Sequence, residues 1–176
     1  MKTLIQQIRA ACRLELYYVA LQSALSIPEI AGALSSDDRR GTGARYAEWF
    51  DTWARPVLLA TRNRENFFSG EQCYLFRCSM LHQGASHRSD STYKRIMFIE
   101  PGNPTHQMHY VEIGADSPEP ALLIQIDEFI EEILVGCENW LRQVNGTQPF
   151  EANYAQFAKH HSDGLKPWIT GVPVVG

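Results

Sequence analysis

The sequence predicts a mainly α-helical bundle with a small inserted antiparallel sheet at about residues 94–126. Apolar residues recur at helical spacing along most of the chain, and the pattern changes to alternation only after residue 91. The 176 residues, 44% hydrophobic and 20% charged, have the length and composition of one ordinary globular domain. Because no linker, internal repeat or low-complexity segment interrupts the pattern, we expect residues 1–176 to form a single domain.

Two helices are predicted before the first polar break. Apolar residues at helical spacing predict one helix over residues 3–25. Ser26 followed by Glu29 is a capping-box pattern, in which side chains bond the free backbone N–H groups of a helix start. A second helix should therefore run from there to about Leu34. The polar residues 35–43, which include two glycines, predict a flexible surface loop.

The next helical signals lead to the segment that carries the candidate chemistry. Helical spacing runs from Ala44 to Pro56, where the proline predicts a kink or a new helix. Ser69 with Gln72 is another capping box, and Gly84 supplies a left-handed helix stop. We expect the helix between them to bury one apolar face, made of Cys73, Phe76, Met80 and Leu81.

Alternating residues predict the sheet. The segments 95–100 (RIMFIE) and 107–113 (QMHYVEI) flank a proline-rich turn, which predicts two antiparallel strands, and residues 122–126 could add a third. Asp127 is expected to cap the clearest amphipathic helix, which Gly146 ends. The outer face of this helix would carry Glu128, Glu131, Glu132 and Glu138.

Charge is distributed unevenly along the chain. Residues 1–95 carry 13 Lys and Arg against 9 Asp and Glu, whereas residues 96–176 carry 3 against 11, for a net charge of −4. Two explanations stay open. One face attracts an anion, or two oppositely charged segments pack together or dimerise.

The four cysteines and the hydropathy pattern restrict the environment. The cysteines are scattered, and no Cys-x-x-Cys occurs, so we expect reduced thiols in a cytoplasmic protein. No apolar run has the character of a signal peptide or the length of a membrane span, so no membrane is expected. The set Cys73, Cys78, His82, His106 and His109 fits no zinc-binding spacing, and we predict neither a metal nor another cofactor.

Arg77 and His82 form the strongest candidate for chemistry. A guanidinium offers a planar fork of donors suited to phosphate oxygens, and an imidazole titrates near neutral pH. Together they could cleave RNA without a metal, with Arg77 stabilising charge on phosphorus and His82 transferring protons. Two points favour a simpler explanation. The helix dipole favours cations at this end of any helix, and residues five apart are separated by about 140°, so the two side chains of one chain need not converge.

The stretch from Cys73 to Gly84 (CYLFRCSMLHQG) resembles the signature helix of the HEPN superfamily, an aromatic-rich helix with an arginine, a short spacer and a histidine. The helices before and after it resemble the all-α bundle of that family, with the sheet as an insertion. The resemblance implies a metal-independent endoribonuclease acting in defence or stress response. It further implies a homodimer with RNA as the substrate, in which the motifs of two subunits meet in a cleft. Arg77 would then bind phosphate, and His82 would be the general acid and base.

Weaker candidates and alternatives accompany this prediction. Ser79, Cys78 and Arg88 are predicted to contact the substrate. One alternative is a catalytically silent HEPN-like dimerisation module that binds nucleotide, RNA or a protein partner, and another is a structural role in which an acidic residue holds Arg77. His106 and His109 would lie on a strand with one wet face. Residues that could steer RNA are Arg39, Arg40, Arg45, Arg62, Arg64, Arg88, Lys94 and Arg95.

Overall fold

The protein is mainly helical with a small mixed sheet, and the computed structural model describes residues 1–61, 68–102 and 108–176. The helices are α1 Lys2–Arg13, α2 Tyr17–Leu34, α3 Gly43–Trp49, α4 Arg55–Thr61, α5 Gly70–Gln83, α6 Ile126–Val144 and α7 Phe150–Tyr154. A π-helical segment, Phe50–Ala54, joins α3 to α4. The strands are β1 Arg95–Ile99, β2 Val111–Ile113, β3 Ala121–Gln125, β4 His160–His161 and β5 Val174–Val175.

Helix α6 lies at the centre of the core, where it packs against α2, α4 and the π-helical segment. Its predicted apolar stripe is buried from Phe129 to Trp140, because residues at this spacing share one face of the helix. Gln125, rather than the predicted Asp127, precedes the first helical residue, and no side chain caps this end. Asp127 lies in the first turn and accepts a hydrogen bond from Gln125 Nε2 at 3.1 Å.

The first predicted helix is wrong in its boundaries. The chain turns after α1 at Glu15, whose φ of 59° is left-handed, and α2 then continues through Pro28 to Leu34. Ser26 does not cap a new helix, because its hydroxyl donates to the carbonyl of Ser23 at 2.7 Å. The apolar spacing runs on across the turn, and a left-handed glutamate carries no glycine signal, so the sequence pattern does not mark the break.

The sheet is mixed, which corrects the antiparallel prediction. Its strand order is β1-β3-β2, with β1 parallel and β2 antiparallel to β3. The central strand is buried along its whole length, as expected for an uninterrupted apolar run covered on both faces. The proline-rich turn therefore does not join neighbouring strands of a hairpin. Strand β2 lies between β1 and β3 in the chain, and residues 103–107 of the predicted turn lie outside the described residues.

Opposite charges from the two parts of the chain meet between α1 and α6. Arg9 donates to Glu131 Oε1 and to Glu138 Oε1, both at 2.6 Å. These bonds raise the pKa of the Arg9 guanidinium and lower the pKa of Glu138. The interpretation that oppositely charged segments pack together thus applies to this pair of helices. Among the described residues, no helix has the length and apolarity needed to cross a membrane.

Candidate active site

Helix α5 is fixed at both ends by local bonds that the sequence predicts. Gln72 N donates to Ser69 Oγ at 3.3 Å, and Ser69 N donates to Gln72 Oε1 at 2.8 Å, which confirms the capping box. Gly84 ends the helix at a φ of 63°, a conformation that costs glycine little. Cys73, Phe76 and Met80 are buried as predicted. The positions of Arg77 and His82 on this helix are therefore well defined.

Arg77 and His82 of the same chain are in contact. Arg77 Nη1 lies 3.1 Å from His82 Nε2, although the two positions are far apart around an ideal helix. The long arginine side chain closes that gap, so convergence does not require a second chain. Because a guanidinium nitrogen can only donate, Nε2 of His82 is the acceptor, and the imidazole carries its proton on Nδ1. His82 is exposed at the end of α5.

Glu29 of α2 is the third member of this cluster. Arg77 Nη2 donates to Glu29 Oε2, and the two side chains are 12% and 33% exposed. Glu29 therefore pairs with Arg77 and does not belong to a capping box, which corrects the prediction for this residue. No spacing signal connects residues 48 positions apart, so only the packing of α2 beside α5 reveals the pair.

The 35–43 loop covers Glu29. A Cβ on Gly41 would lie 2.6 Å from Glu29 Cγ, so a side chain at this position would displace the carboxylate. The loop is exposed, as predicted, but it is anchored. Asn153 Nδ2 donates to the carbonyls of Leu34 at 3.1 Å and Ser36 at 2.8 Å. Arg39 Nη2 also donates to the carbonyl of Gln156 at 2.9 Å.

Of the predicted substrate contacts, Cys78 is beside the cluster. Its sulfur lies 4.0 Å from Arg77 Nη1, and a hydrogen bond between Tyr74 and Cys78 raises the pKa of the tyrosine. Ser79 is buried and Arg88 is half-buried, and no described hydrogen bond joins either to Arg77 or His82. They line a separate small cavity, and Arg88 Nη2 donates to Asp90 Oδ2 at 2.8 Å.

The remaining basic candidates are dispersed. Arg45 pairs with Asp38, and Lys94 donates to the carbonyls of Ser89 and Ser91. Arg40 and Arg95 are exposed. Arg62, Arg64 and His106 lie outside the described residues.

His109 lies in a buried cluster that the sequence analysis missed. Its Nδ1 accepts the backbone N–H of Gln125 at 3.0 Å, so its Nε2 carries the proton and donates to Glu132 Oε1 at 3.2 Å. Tyr110 Oη donates to Glu132 Oε2 at 2.9 Å. Neither the wet strand face predicted for His109 nor the outer helix face predicted for Glu132 is correct. Both residues join the segment before β2 to the start of α6.

Of the residues considered as metal ligands, Cys73 and His109 are held in separate buried contacts. Cys73 is buried with its sulfur 3.4 Å from Tyr46 Oη, and burial raises the pKa of this thiol to about 12. His109 is occupied by Gln125 and Glu132. In the described part of the chain, no group of three or more His, Cys, Asp and Glu could hold a metal ion.

Comparison with known proteins gives no relative: the chain matches no family model, no curated protein and no solved structure.

Proposed function

We propose that this protein is a metal-independent endoribonuclease of the HEPN type, with Arg77 and His82 as its catalytic residues. The observation that carries the proposal is the 3.1 Å contact between Arg77 Nη1 and His82 Nε2 at the exposed end of α5. It supports the proposal because, during RNA cleavage, the cation that stabilises the phosphate charge and the base that takes the proton must both reach the reacting phosphodiester.

The contacts suit a transesterification. His82 Nε2 bears a lone pair that can take the proton of a ribose 2′-hydroxyl. The 2′-oxygen then attacks phosphorus, the bond from phosphorus to the 5′-oxygen breaks, and the products are a 2′,3′-cyclic phosphate and a 5′-hydroxyl. Arg77 retains one Nη2 hydrogen for a phosphate oxygen, since Nη2 carries two and donates one to Glu29, whereas Nη1 donates to His82 and to Cys78 Sγ.

The leaving 5′-oxygen needs a proton from a second acid. We assign that role to His82 of a second copy in a homodimer cleft, because one imidazole cannot accept and donate at the same moment. Size-exclusion chromatography with light scattering should then report a dimer. Mixing the His82→Ala and Arg77→Ala chains should not restore activity, because a mixed dimer holds a single His82 and the proposed step needs two; substantial restored cleavage would contradict the second-acid assignment.

The decisive experiment is cleavage of single-stranded RNA in EDTA. We expect cyclic phosphate ends from the wild type, and a loss of about 100-fold or more in Arg77→Ala and in His82→Ala. The exposed residues His87 and Arg13 provide matched controls, and the His87→Ala and Arg13→Ala variants should cleave normally. Cleavage retained in both catalytic variants would overturn the proposal.

One observation favours the second candidate, a catalytically silent module that binds without cleavage. Arg77 is only 12% exposed and already engages Glu29 and His82, as a structural ion pair would. This function predicts RNA or nucleotide binding with no cleavage product. The structural role, in which an acidic residue holds Arg77, predicts instead that Arg77→Ala lowers the thermal midpoint by several degrees, since Glu29 would lose its partner.

A further inference from the structure

A large groove lies apart from Arg77 and His82. It is bounded by α1, the C-terminal part of α6 and residues 150–160, and has a cavity volume of about 1060 Å³. Its apolar floor is formed by Leu4, Ile5, Leu141, Phe150, Tyr154 and Phe157. This volume lies at the upper end of the roughly 300–1000 Å³ range of small-molecule pockets, so the groove has room for a short peptide.

The aromatic part of the floor is preorganised. Tyr154 stacks on Phe150 with ring centroids 5.1 Å apart and on Phe157 at 5.4 Å. Trp140 packs edge-on against Phe150 at 5.4 Å. Because these rings already support one another, an apolar partner could bind against them with little loss of side-chain entropy.

Cations surround this floor. Lys2, Arg142 and Lys159 line the groove, and among the described residues none of them has a carboxylate within ion-pair distance. The carboxylate of Glu138 also lines it and is paired with Arg9 at 2.6 Å, which pairs with Glu131 as well. Residues 96–176 hold only 3 Lys and Arg, and two of them are at this groove. A positive rim within the acidic part of the chain favours an acidic occupant.

We propose that this groove binds a short acidic amphipathic helix of a partner protein. The lining residues of α1 run from Met1 to Arg9, a length of about 12 Å or two helical turns. A helix of that length places apolar side chains at i, i+3 or i+4, and i+7 on one face, which would meet the aromatic floor. Its Asp and Glu side chains would face Lys2, Arg142 and Lys159. The proposal does not depend on ribonuclease activity.

Selection from a phage-displayed library of roughly 16-residue random peptides tests the proposal on the full chain. We expect the enriched peptides to carry net negative charge with apolar residues at helical spacing. A synthetic peptide from that pool should bind about tenfold more weakly to Lys159→Glu and to Arg142→Glu. Added salt should weaken it further. Lys166→Glu, which makes the same charge reversal outside the groove, should bind as wild type does.

Three results would overturn the proposal. They are a library with no enriched peptide, an enriched pool that is neutral, basic or without helical spacing, and binding that survives both groove variants while circular dichroism shows them folded. Arg77→Ala should leave peptide binding unchanged. Loss of RNA cleavage in that variant can therefore be distinguished from loss of peptide binding at the groove.

Discussion

At the residue scale, Arg77 is held between two unlike partners. Glu29 fixes one terminal nitrogen by charge, whereas His82 accepts from the other only while its Nε2 is unprotonated. Protonation of the imidazole would end that contact and release Nη1 for another acceptor. When His82 takes a proton from the substrate, it would thus free Nη1 of Arg77 to bind the phosphate oxygens while negative charge develops on them.

Glu29 is predicted to position Arg77 rather than to touch the substrate. Glu29→Gln keeps the shape and removes the charge, so we expect kcat for RNA cleavage to fall about tenfold with little change in KM. Steady-state kinetics provide the measurement, and Glu71→Gln on the exposed first turn of α5 is the control. An unchanged kcat in Glu29→Gln would show that the carboxylate does not orient the guanidinium.

Glu132 is predicted to be important for stability. Glu132→Ala removes the acceptor of both His109 and Tyr110 inside the protein, so we expect the free energy of unfolding to fall by about 3 kcal/mol. Urea unfolding measures the change, with the exposed Glu119→Ala as the control. A loss no larger than that of the control would contradict the assignment.

Sequence reasoning at this scale identified Arg77 and His82 but neither carboxylate. An arginine and a histidine near a helix end are visible within one short stretch. Glu29 and Glu132 pair with residues 48 and more than 20 positions away, respectively. A glutamate on an amphipathic helix is read as solvent-facing unless its distant partner is known.

At the element scale, the local signals of α5 predicted its two ends, whereas the caps predicted at Ser26 and Asp127 are wrong. The capping box and the glycine stop of α5 are local hydrogen-bond patterns, and both are confirmed. The break at Glu15 carries no glycine signal, and the parallel pairing of β1 with β3 depends on packing between segments distant in the chain. Periodicity along one segment contains no information about its neighbours in a sheet, which is why the predicted hairpin is wrong.

The N-terminal cap of α5 provides a test of how much a local hydrogen bond stabilises the protein. Ser69→Ala removes the acceptor for Gln72 N, so we expect a loss of about 1 kcal/mol in the free energy of unfolding. Chemical denaturation of the variant and of Ser89→Ala, an exposed serine in a loop, gives the comparison. Equal stabilities of the two variants would mean that the cap adds nothing to α5.

The 35–43 loop should respond to acid through Asp38. Its hydrogen bond with Arg45 lowers the pKa of the carboxyl from 3.8 to about 2. A folded-state pKa below the unfolded value stabilises the protein above pH 3.8, and that contribution disappears as the pH falls toward 2. The stability difference between wild type and Asp38→Asn should therefore shrink over this interval. A difference that is constant with pH would argue against the pairing.

At the scale of the whole molecule, the core separates the four thiols into two groups. Burial raises the pKa of Cys73 and of Cys137 to about 12, whereas Cys12 and Cys78 are half-buried. At about pH 8, iodoacetamide should modify Cys78 in the native protein and leave Cys73 and Cys137 intact until unfolding, because the thiolate is the reactive form. Peptide mass spectrometry gives the site-by-site rates. Rapid native modification of the buried pair would contradict the packing around α6.

The anchoring of the 35–43 loop by Asn153 has a consequence for shortened chains. A protein truncated before residue 150 would lose the amide that serves the carbonyls of Leu34 and Ser36, together with the backbone acceptor of Arg39. The 35–43 loop over Glu29 would then lose these anchoring hydrogen bonds. The removed segment nevertheless contains none of the three side chains around the Arg77 guanidinium. The C-terminal region thus supports the loop that covers Glu29, a residue more than a hundred positions earlier in the chain.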